Sequence, residues 1–311
     1  MFIKKSFIST TVLLSWMLLL NSCSKVNLNI PTITGTLDST PTSNLKTSTS
    51  FFLGHKGAGS NNYNDMNMEH SIASFKEALA LLDGVEIDVQ MSLDNTLWMF
   101  HDVDINNSLC TPGTHHKSII TMHDSDIAVL NLCSRSKKDR VYKFSELMDL
   151  WRSSPKGFFI DIEIKDSFDS SDYYAVGGEM NYLTNMASSF NKLFENLNHN
   201  SKLLMIEDYS TMFTTNLRTY PIGKTLSYFL NDSTPFDKNV ENAMSGKFDG
   251  VSCNFQDSTI TAAKIKEAHD KGLQVILWTP YYDSEVLGVY NLLPDFIDTD
   301  HTTVKQDLGL K

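Results

Sequence analysis

The chain has 311 residues, 41% of them hydrophobic and 20% charged, a balance that suits a globular body with a sizeable core and excludes disorder as its main state. Its 26 Lys and Arg stand against 37 Asp and Glu, a formal charge of -11. That sign is wrong for holding a polyphosphate backbone and excludes nucleic acid as a partner, while a few local cations or a bound metal still admit a small phosphate into a cleft.

Lys4 and Lys5 precede the apolar run "FISTTVLLSWMLLL", which is shorter than the roughly 20 residues of a comfortable membrane span and reads as a secretory signal over residues 1–22. "LNSC" follows and ends at Cys23. It resembles the lipobox of bacterial lipoproteins, in which cleavage leaves the Cys as a lipid-bearing N-terminus; an ordinary signal peptide with an incidental Cys is the alternative. The lipobox reading implies an exported protein anchored to a membrane through Cys23, on its periplasmic or cell-surface side. Residues 23–50 are dominated by Ser, Thr, Asn and Pro and read as a flexible tether, which leaves residues 51–311 as the folded part. Outside the cytoplasm Cys110 and Cys133 can pair, but sequence leaves their geometry open. Cys253 is left over.

From Phe51 onward, short apolar runs alternate with helical stretches. The strands expected are "FFLGH", "GVEIDVQ", "GFFIDIEIK", "KLLMIED", "KTLSYFL", "GVSCNF", "LQVILWT" and "DFIDTD". The helices expected include "SIASFKEALALL", "FSELMDLWRS", "YLTNMASSFNKLFENLN" and "TAAKIKEAHDKG". In the first of these, Ile72, Phe75, Leu79 and Leu82 recur at three- and four-residue steps, so one face packs on a sheet. Eight strands joined largely through helices predict an α/β protein with a closed (β/α)8 barrel, for which roughly 250 residues suffice. An open doubly wound sheet is the alternative.

One connection breaks the alternation. Between Gln90 and Leu97 there is room only for a turn around Asp94 and Asn95, so the second arm returns antiparallel to the first. A turn centred there pairs Leu93 with Thr96 and Asp88 with His101, bringing His101 to the face shared by Glu86 and Asp88. The polar stretch that follows, to about Arg140, is too long for an ordinary connection. It predicts a small insertion after the second strand, over about residues 92–140, at the barrel mouth.

Glu86 and Asp88 alternate on one strand face, as do Asp161 and Glu163. Burying such carboxylates together without a cation is expensive, and oxygen-only ligands favour Mg²⁺ or Ca²⁺ over Zn²⁺. His55 and His101 end strands nearby. Two imidazoles beside a divalent ion suit a reaction in which one proton is removed and another delivered, as in phosphodiester cleavage. Lys56 and Lys165 add compact positive charge for phosphoryl oxygens. Taken one at a time, each of these residues also fits a structural role.

"LGHKGAG", "MEHSIASFKEAL", "GVEIDVQMSLDNTLWMFHD", "DIEIK", "GLQVILWT" and "DFIDTD" together resemble the glycerophosphodiester phosphodiesterase family, from about Phe51 to Asp300. The resemblance implies a phosphatidylinositol-phospholipase-like (β/α)8 barrel with a small insertion after its second strand. It implies hydrolysis of a small glycerophosphodiester, such as glycerophosphocholine or glycerophosphoethanolamine, to sn-glycerol 3-phosphate and an alcohol. By residue, it implies Glu86, Asp88 and Glu163 as ligands of a divalent metal, Ca²⁺ or Mg²⁺, and His55 and His101 as the acid–base pair. Lys165 would contact phosphate, Glu69 would support the metal or substrate region, and Trp278 would line the pocket or belong to the core. The family's Arg after the first His is Lys56 here, which keeps the charge but loses a two-pronged contact, and its Glu-Asn-Thr is Glu69-His70-Ser71. Two rivals stay open: a related phosphodiesterase acting on intact phospholipid or inositol phospholipid, and a catalytically weak binding lipoprotein on the same barrel. Oligomeric state is not legible.

Overall fold

A computed structural model of the chain describes residues 50–310 apart from 65, 114, 156, 196–202 and 210. The expected signal segment, Cys23 and the expected tether up to residue 49 lie outside the described residues. No helix among the described residues is long and apolar enough to cross a membrane.

Eight parallel strands close on one another: β1 (Phe51–Gly54), β2 (Gly84–Met91), β7 (Phe159–Ile164), β8 (Leu204–Asp208), β9 (Leu226–Leu230), β10 (Gly250–Asn254), β11 (Gln274–Trp278) and β12 (Phe296–Thr299). They hydrogen-bond in that order, and β12 returns to β1 to complete a (β/α)8 barrel. All eight strands expected from the sequence are present, and the open sheet is excluded. On the antiparallel side, β2 also carries β3 (Leu97–Met99), which in turn pairs with β6 (Tyr142–Lys143).

The period-two alternation of each strand decides what faces where. Along β2, Val85, Ile87 and Val89 are fully buried in the main core with Phe75 and Ala78 of the helix Ile72–Leu79. Each such side chain contributes about 1.5–3 kcal/mol by leaving water. The intervening Glu86, Asp88 and Gln90 point into the barrel, equally buried. The barrel floor is closed by Leu53, Met205, Tyr228, Ile276 and Phe296. Gly84 belongs to this packing, because a Cβ there would lie 2.3 Å from the carbonyl oxygen of Phe159.

The four helices expected are found over Ile72–Leu79, Phe144–Ser153, Glu179–Leu193 and Ala262–Asp270. Ser71 opens the first by accepting from Ser74 N at 3.1 Å, and the helix ends at Leu79, short of Leu82. Helices over Phe236–Gly246 and Asp283–Tyr290 were not anticipated. In the former a fully buried Asn239 occupies a position on the apolar face, its amide satisfied by the carbonyls of Asn231 and Thr234, and this polar residue hides the periodicity.

Between β3 and β6 the chain forms two short 3₁₀ turns, a helical turn Asp124–Ile127 and the hairpin of β4 (Asn131–Ser134) with β5 (Lys137–Arg140). This stretch has its own small core: Trp98, Phe100, Ile105, Ile119, Met122, Ile127, Leu132 and Val141, together with Met68. Cys110 and Cys133 form a disulfide within it, and Cys253 is buried and free.

The expected register of the β2–β3 ribbon is corrected by one residue. Ser92 N donates to Thr96 O and Asn95 N to Ser92 O, with Asn95 at φ +59°, so the loop has three residues, Leu93 to Asn95, with an Asn in the left-handed position that closes such loops. The extra residue moves every pairing: Val89 faces Met99, and Phe100 N, not His101, bonds to Asp88 O at 3.1 Å.

Candidate active site

β1 ends at Gly54 and delivers His55 to the mouth, followed by a tight turn in which Lys56 and Gly57 both take positive φ, +53° and +96°. The turn directs Lys56 N onto Glu86 Oε2 at 2.8 Å. His55 Nδ1 lies 2.8 Å from Asp300 Oδ1, just beyond β12. Asp300 also accepts from Ser60 N at 2.6 Å, and these partners outweigh its burial and lower its pKa.

Glu86, Asp88 and Glu163 each offer an oxygen within 4.8 Å of the others. β2 and β7 run parallel with Asp88 opposite Glu163, which is why the two alternating pairs converge. The donor set consists of oxygens alone, and Glu86 Oε1 is buried without a hydrogen-bond partner; both fit a hard divalent cation. His55, Glu86 and Asp298 form a second group of the same compactness.

The lysines enter the same space. Lys165 Nζ is 2.8 Å from Asp88 Oδ1 and is hydrogen-bonded to Glu163 Oε1, and Lys56 Nζ is 3.9 Å from Asp88 Oδ2. Burial alone would push the Asp88 carboxyl up, but Lys165, Lys56, His101 and His70 together hold it well below the usual carboxylate range. Glu86 goes the other way: burial, then the neighbouring Asp88 and Glu163, raise it well above its ordinary value.

His101 reaches the site by a different route from the one expected. β3 stops at Met99, so strand alternation no longer governs it. Gln90 Nε2 holds the exit segment by donating to Phe100 O at 3.0 Å and Asp102 O at 2.9 Å. His101 is thereby left within electrostatic reach of both Asp88 and His70, with its Nδ1 2.7 Å from Asp102 Oδ1. Both histidines at the mouth therefore carry a carboxylate on Nδ1 and leave Nε2 for other partners, an arrangement that fixes tautomer and ring orientation.

Four neighbours were given no site role from the sequence. His70 is buried, and its Nε2 lies 2.9 Å from Asp88 Oδ2 and 3.2 Å from Asp88 N. Those contacts demand opposite tautomers, and the shorter, charge-assisted one assigns the proton to Nε2. Burial, opposed by Asp88, lowers its pKa to about 3, so the ring is neutral. Asp161, Glu207 and Asp298 line the interior beside Glu86, all of them buried. Burial, with Glu86 adding to it, raises Asp161 to about 8, and Glu207 and Asp298 stand well above their ordinary values for the same first reason. The alternation of "DIEIK" exposed Asp161, but single acids in otherwise apolar strands gave no sign of Glu207 or Asp298.

A carboxyl whose pKa is near 8 when folded and about 3.9 when unfolded favours folding below about pH 4 and loses that contribution as pH rises to 8. In chelator, Asp161→Asn is expected to flatten the decline of unfolding free energy between about pH 5 and pH 8, read from urea titrations. An unchanged slope contradicts the assignment.

Of the remaining expected residues, Glu69 closes its own loop, accepting from Asn61 N at 2.7 Å while its own N donates to Asn61 Oδ1 at 3.2 Å. Trp278 ends β11 partly exposed, and its Nε1 is buried without a partner.

No curated protein matches the chain. Among solved structures, it is similar to a glycerophosphodiester phosphodiesterase from Parabacteroides distasonis, with 16% identity, a TM-score of 0.66, and coverage of 84% of this chain and 96% of that one. It is also similar to an Oleispira antarctica phosphodiesterase solved with its product sn-glycerol 3-phosphate, with 13% identity, a TM-score of 0.63, and coverage of 84% and 97%. At such identities the likeness establishes the fold. The sequence itself matches the glycerophosphoryl diester phosphodiesterase family model over residues 55–304, which takes in both mouth histidines and all three clustered carboxylates. The chain belongs to the glycerophosphoryl diester phosphodiesterase family.

Proposed function

We propose that the chain hydrolyses small glycerophosphodiesters, such as glycerophosphocholine and glycerophosphoethanolamine, to sn-glycerol 3-phosphate and an alcohol, in a reaction that depends on Ca²⁺ or Mg²⁺. The observation that carries the reading is the convergence of Glu86, Asp88 and Glu163 within 4.8 Å, beside two imidazoles each backed by a carboxylate. Glu86, Asp88 and Glu163 would hold the cation, which when bound supplies positive charge to the non-bridging phosphoryl oxygens.

One of His55 and His101, neutral, takes a proton from the attacking water as its oxygen bonds to phosphorus. The other, protonated, gives its proton to the alcohol oxygen as the second P–O bond breaks. Asp300 and Asp102 stabilise the imidazolium on either side. Lys165 and Lys56, held at the carboxylates, present ammonium charge to the phosphate, while Glu69 supports the loop beside them and Trp278, the last residue of β11, lines the pocket. The product carried by the Oleispira antarctica phosphodiesterase supports this substrate class. The test is direct: purified protein should release glycerol 3-phosphate from glycerophosphocholine or glycerophosphoethanolamine. Release of diacylglycerol from intact phospholipid, with no action on either deacylated diester, would favour the lipid-cleaving rival.

We further propose export as a lipoprotein anchored through Cys23, on the strength of the "LNSC" segment and the polar tether after it. Cys23→Ser is expected to move the protein from the membrane fraction to the soluble one and to abolish palmitate labelling. A variant that still labels refutes the anchor.

A further inference from the structure

We propose that Lys137, on the disulfide-stapled hairpin, is a positioning residue for the cation site: it clamps the loop after β1, and through Asn61 and Glu69 the residue that follows them, His70, is held against Asp88.

The described residues of the loop from Ser60 to Met68 form turns and bends rather than helix or strand. Its outer side is tied to the helix Ile72–Leu79, where Glu77 Oε2 accepts from Asn67 Nδ2 at 2.7 Å and Asn64 Nδ2 at 3.3 Å. Its inner side is gathered by one ammonium. Lys137 Nζ donates to Asn64 O at 2.5 Å, Asn61 Oδ1 at 3.0 Å and Asn67 O at 3.1 Å. Lys137 is itself only 8% exposed, and burying an ammonium is costly unless oxygens replace its water. These contacts come from three points along the loop, so the ammonium joins them from the inside, while Asn64 Oδ1 accepts from Met66 N at 2.8 Å and Asn67 N at 3.1 Å.

The consequence runs along the chain to the site. Asn61, held by Lys137, brackets Glu69 through the two reciprocal hydrogen bonds. The next residue, His70, takes φ +57° and meets Asp88 Oδ2 at 2.9 Å. Carboxylates that ligate metals are oriented by such partners, whose loss typically weakens metal affinity by about 10- to 100-fold. The hairpin that carries Lys137 is anchored in turn. Cys133 is joined to Cys110, and Leu132 packs with Met68, which precedes Glu69, and with Phe100, which precedes His101. The small core of the insertion therefore supports both segments that lead into the site. This inference rests on reading Glu86, Asp88 and Glu163 as the cation site.

The test uses Lys137→Met and Asn61→Ala, the second removing one acceptor of the ammonium at a part-exposed position should the first fail to fold. Folding is confirmed by circular dichroism well below the melting temperature, and Ca²⁺ and Mg²⁺ affinities are measured by calorimetry. Lys137→Met is expected to weaken cation affinity by about tenfold or more, Asn61→Ala by less, with the lost turnover recovered as cation concentration is raised. A merely structural residue would change melting temperature without that cation dependence. Affinities within twofold of wild type in folded variants overturn the role of Lys137. A wild-type protein that binds neither cation overturns the underlying site reading as well.

Discussion

Asp88→Asn is expected to lower kcat/KM by about a thousandfold or more and to weaken divalent-cation affinity beyond the roughly 10- to 100-fold typical of losing an outer partner. Asp88 is where the site is tied together: Lys165, Lys56 and His70 approach its two oxygens at 2.8, 3.9 and 2.9 Å, and it sits opposite Glu163 on the neighbouring strand. The amide keeps the shape but removes the charge that both lysines face. Breaking a buried pair by removing one partner costs about 3–5 kcal/mol. The expected loss lies at the lower end, because Lys165 keeps Glu163. Calorimetric cation titration and urea unfolding separate the two effects. A variant that binds cation as the wild type does contradicts the ligand assignment, whatever its stability.

His101→Ala is expected to lower kcat by about 10²- to 10⁴-fold, the usual worth of a positioned acid or base, with little change in unfolding free energy. Its side chain is 42% exposed, so truncation opens no cavity in the core. The nearby buried residues of β3 and its exit, Trp98 and Phe100, keep their packing in the insertion core. Rapid-quench measurement of product formation isolates the chemical step. Wild-type turnover in this variant would remove His101 from proton transfer and leave His55 and Asp300 as the remaining dyad.

The fold was legible because its signal is local. Eight apolar runs separated by helical periodicity leave few ways to close a parallel sheet, and the strand positions follow. The carboxylates of β2 and β7 were legible for the same reason, since an acid at every second position of an apolar strand marks a face. What was not legible depended on tertiary geometry. The ribbon register turned on whether its loop held two residues or three, and the hydrogen bonds from Ser92 N to Thr96 O and from Asn95 N to Ser92 O decide that. His101 still arrives near Asp88, but through the grip of Gln90 on the chain rather than through cross-strand pairing. His70 stood in the sequence only as a departure from Glu-Asn-Thr, and nothing local foretold its contact with Asp88. Lys137 lies in a polar hairpin some seventy residues from the loop it clamps, a pairing that no periodicity encodes. The family resemblance supplied roles, whereas the structure supplied the partners Asp300 and Asp102 that make two mouth histidines suitable for acid–base work.

The most direct measurement of the central claim is release of sn-glycerol 3-phosphate from glycerophosphocholine and glycerophosphoethanolamine by protein stripped with EDTA, before and after Ca²⁺ or Mg²⁺ is restored. The account predicts negligible release in chelator and recovery of turnover with one of the two cations. Full activity in chelator, with no metal retained by the protein, would contradict it.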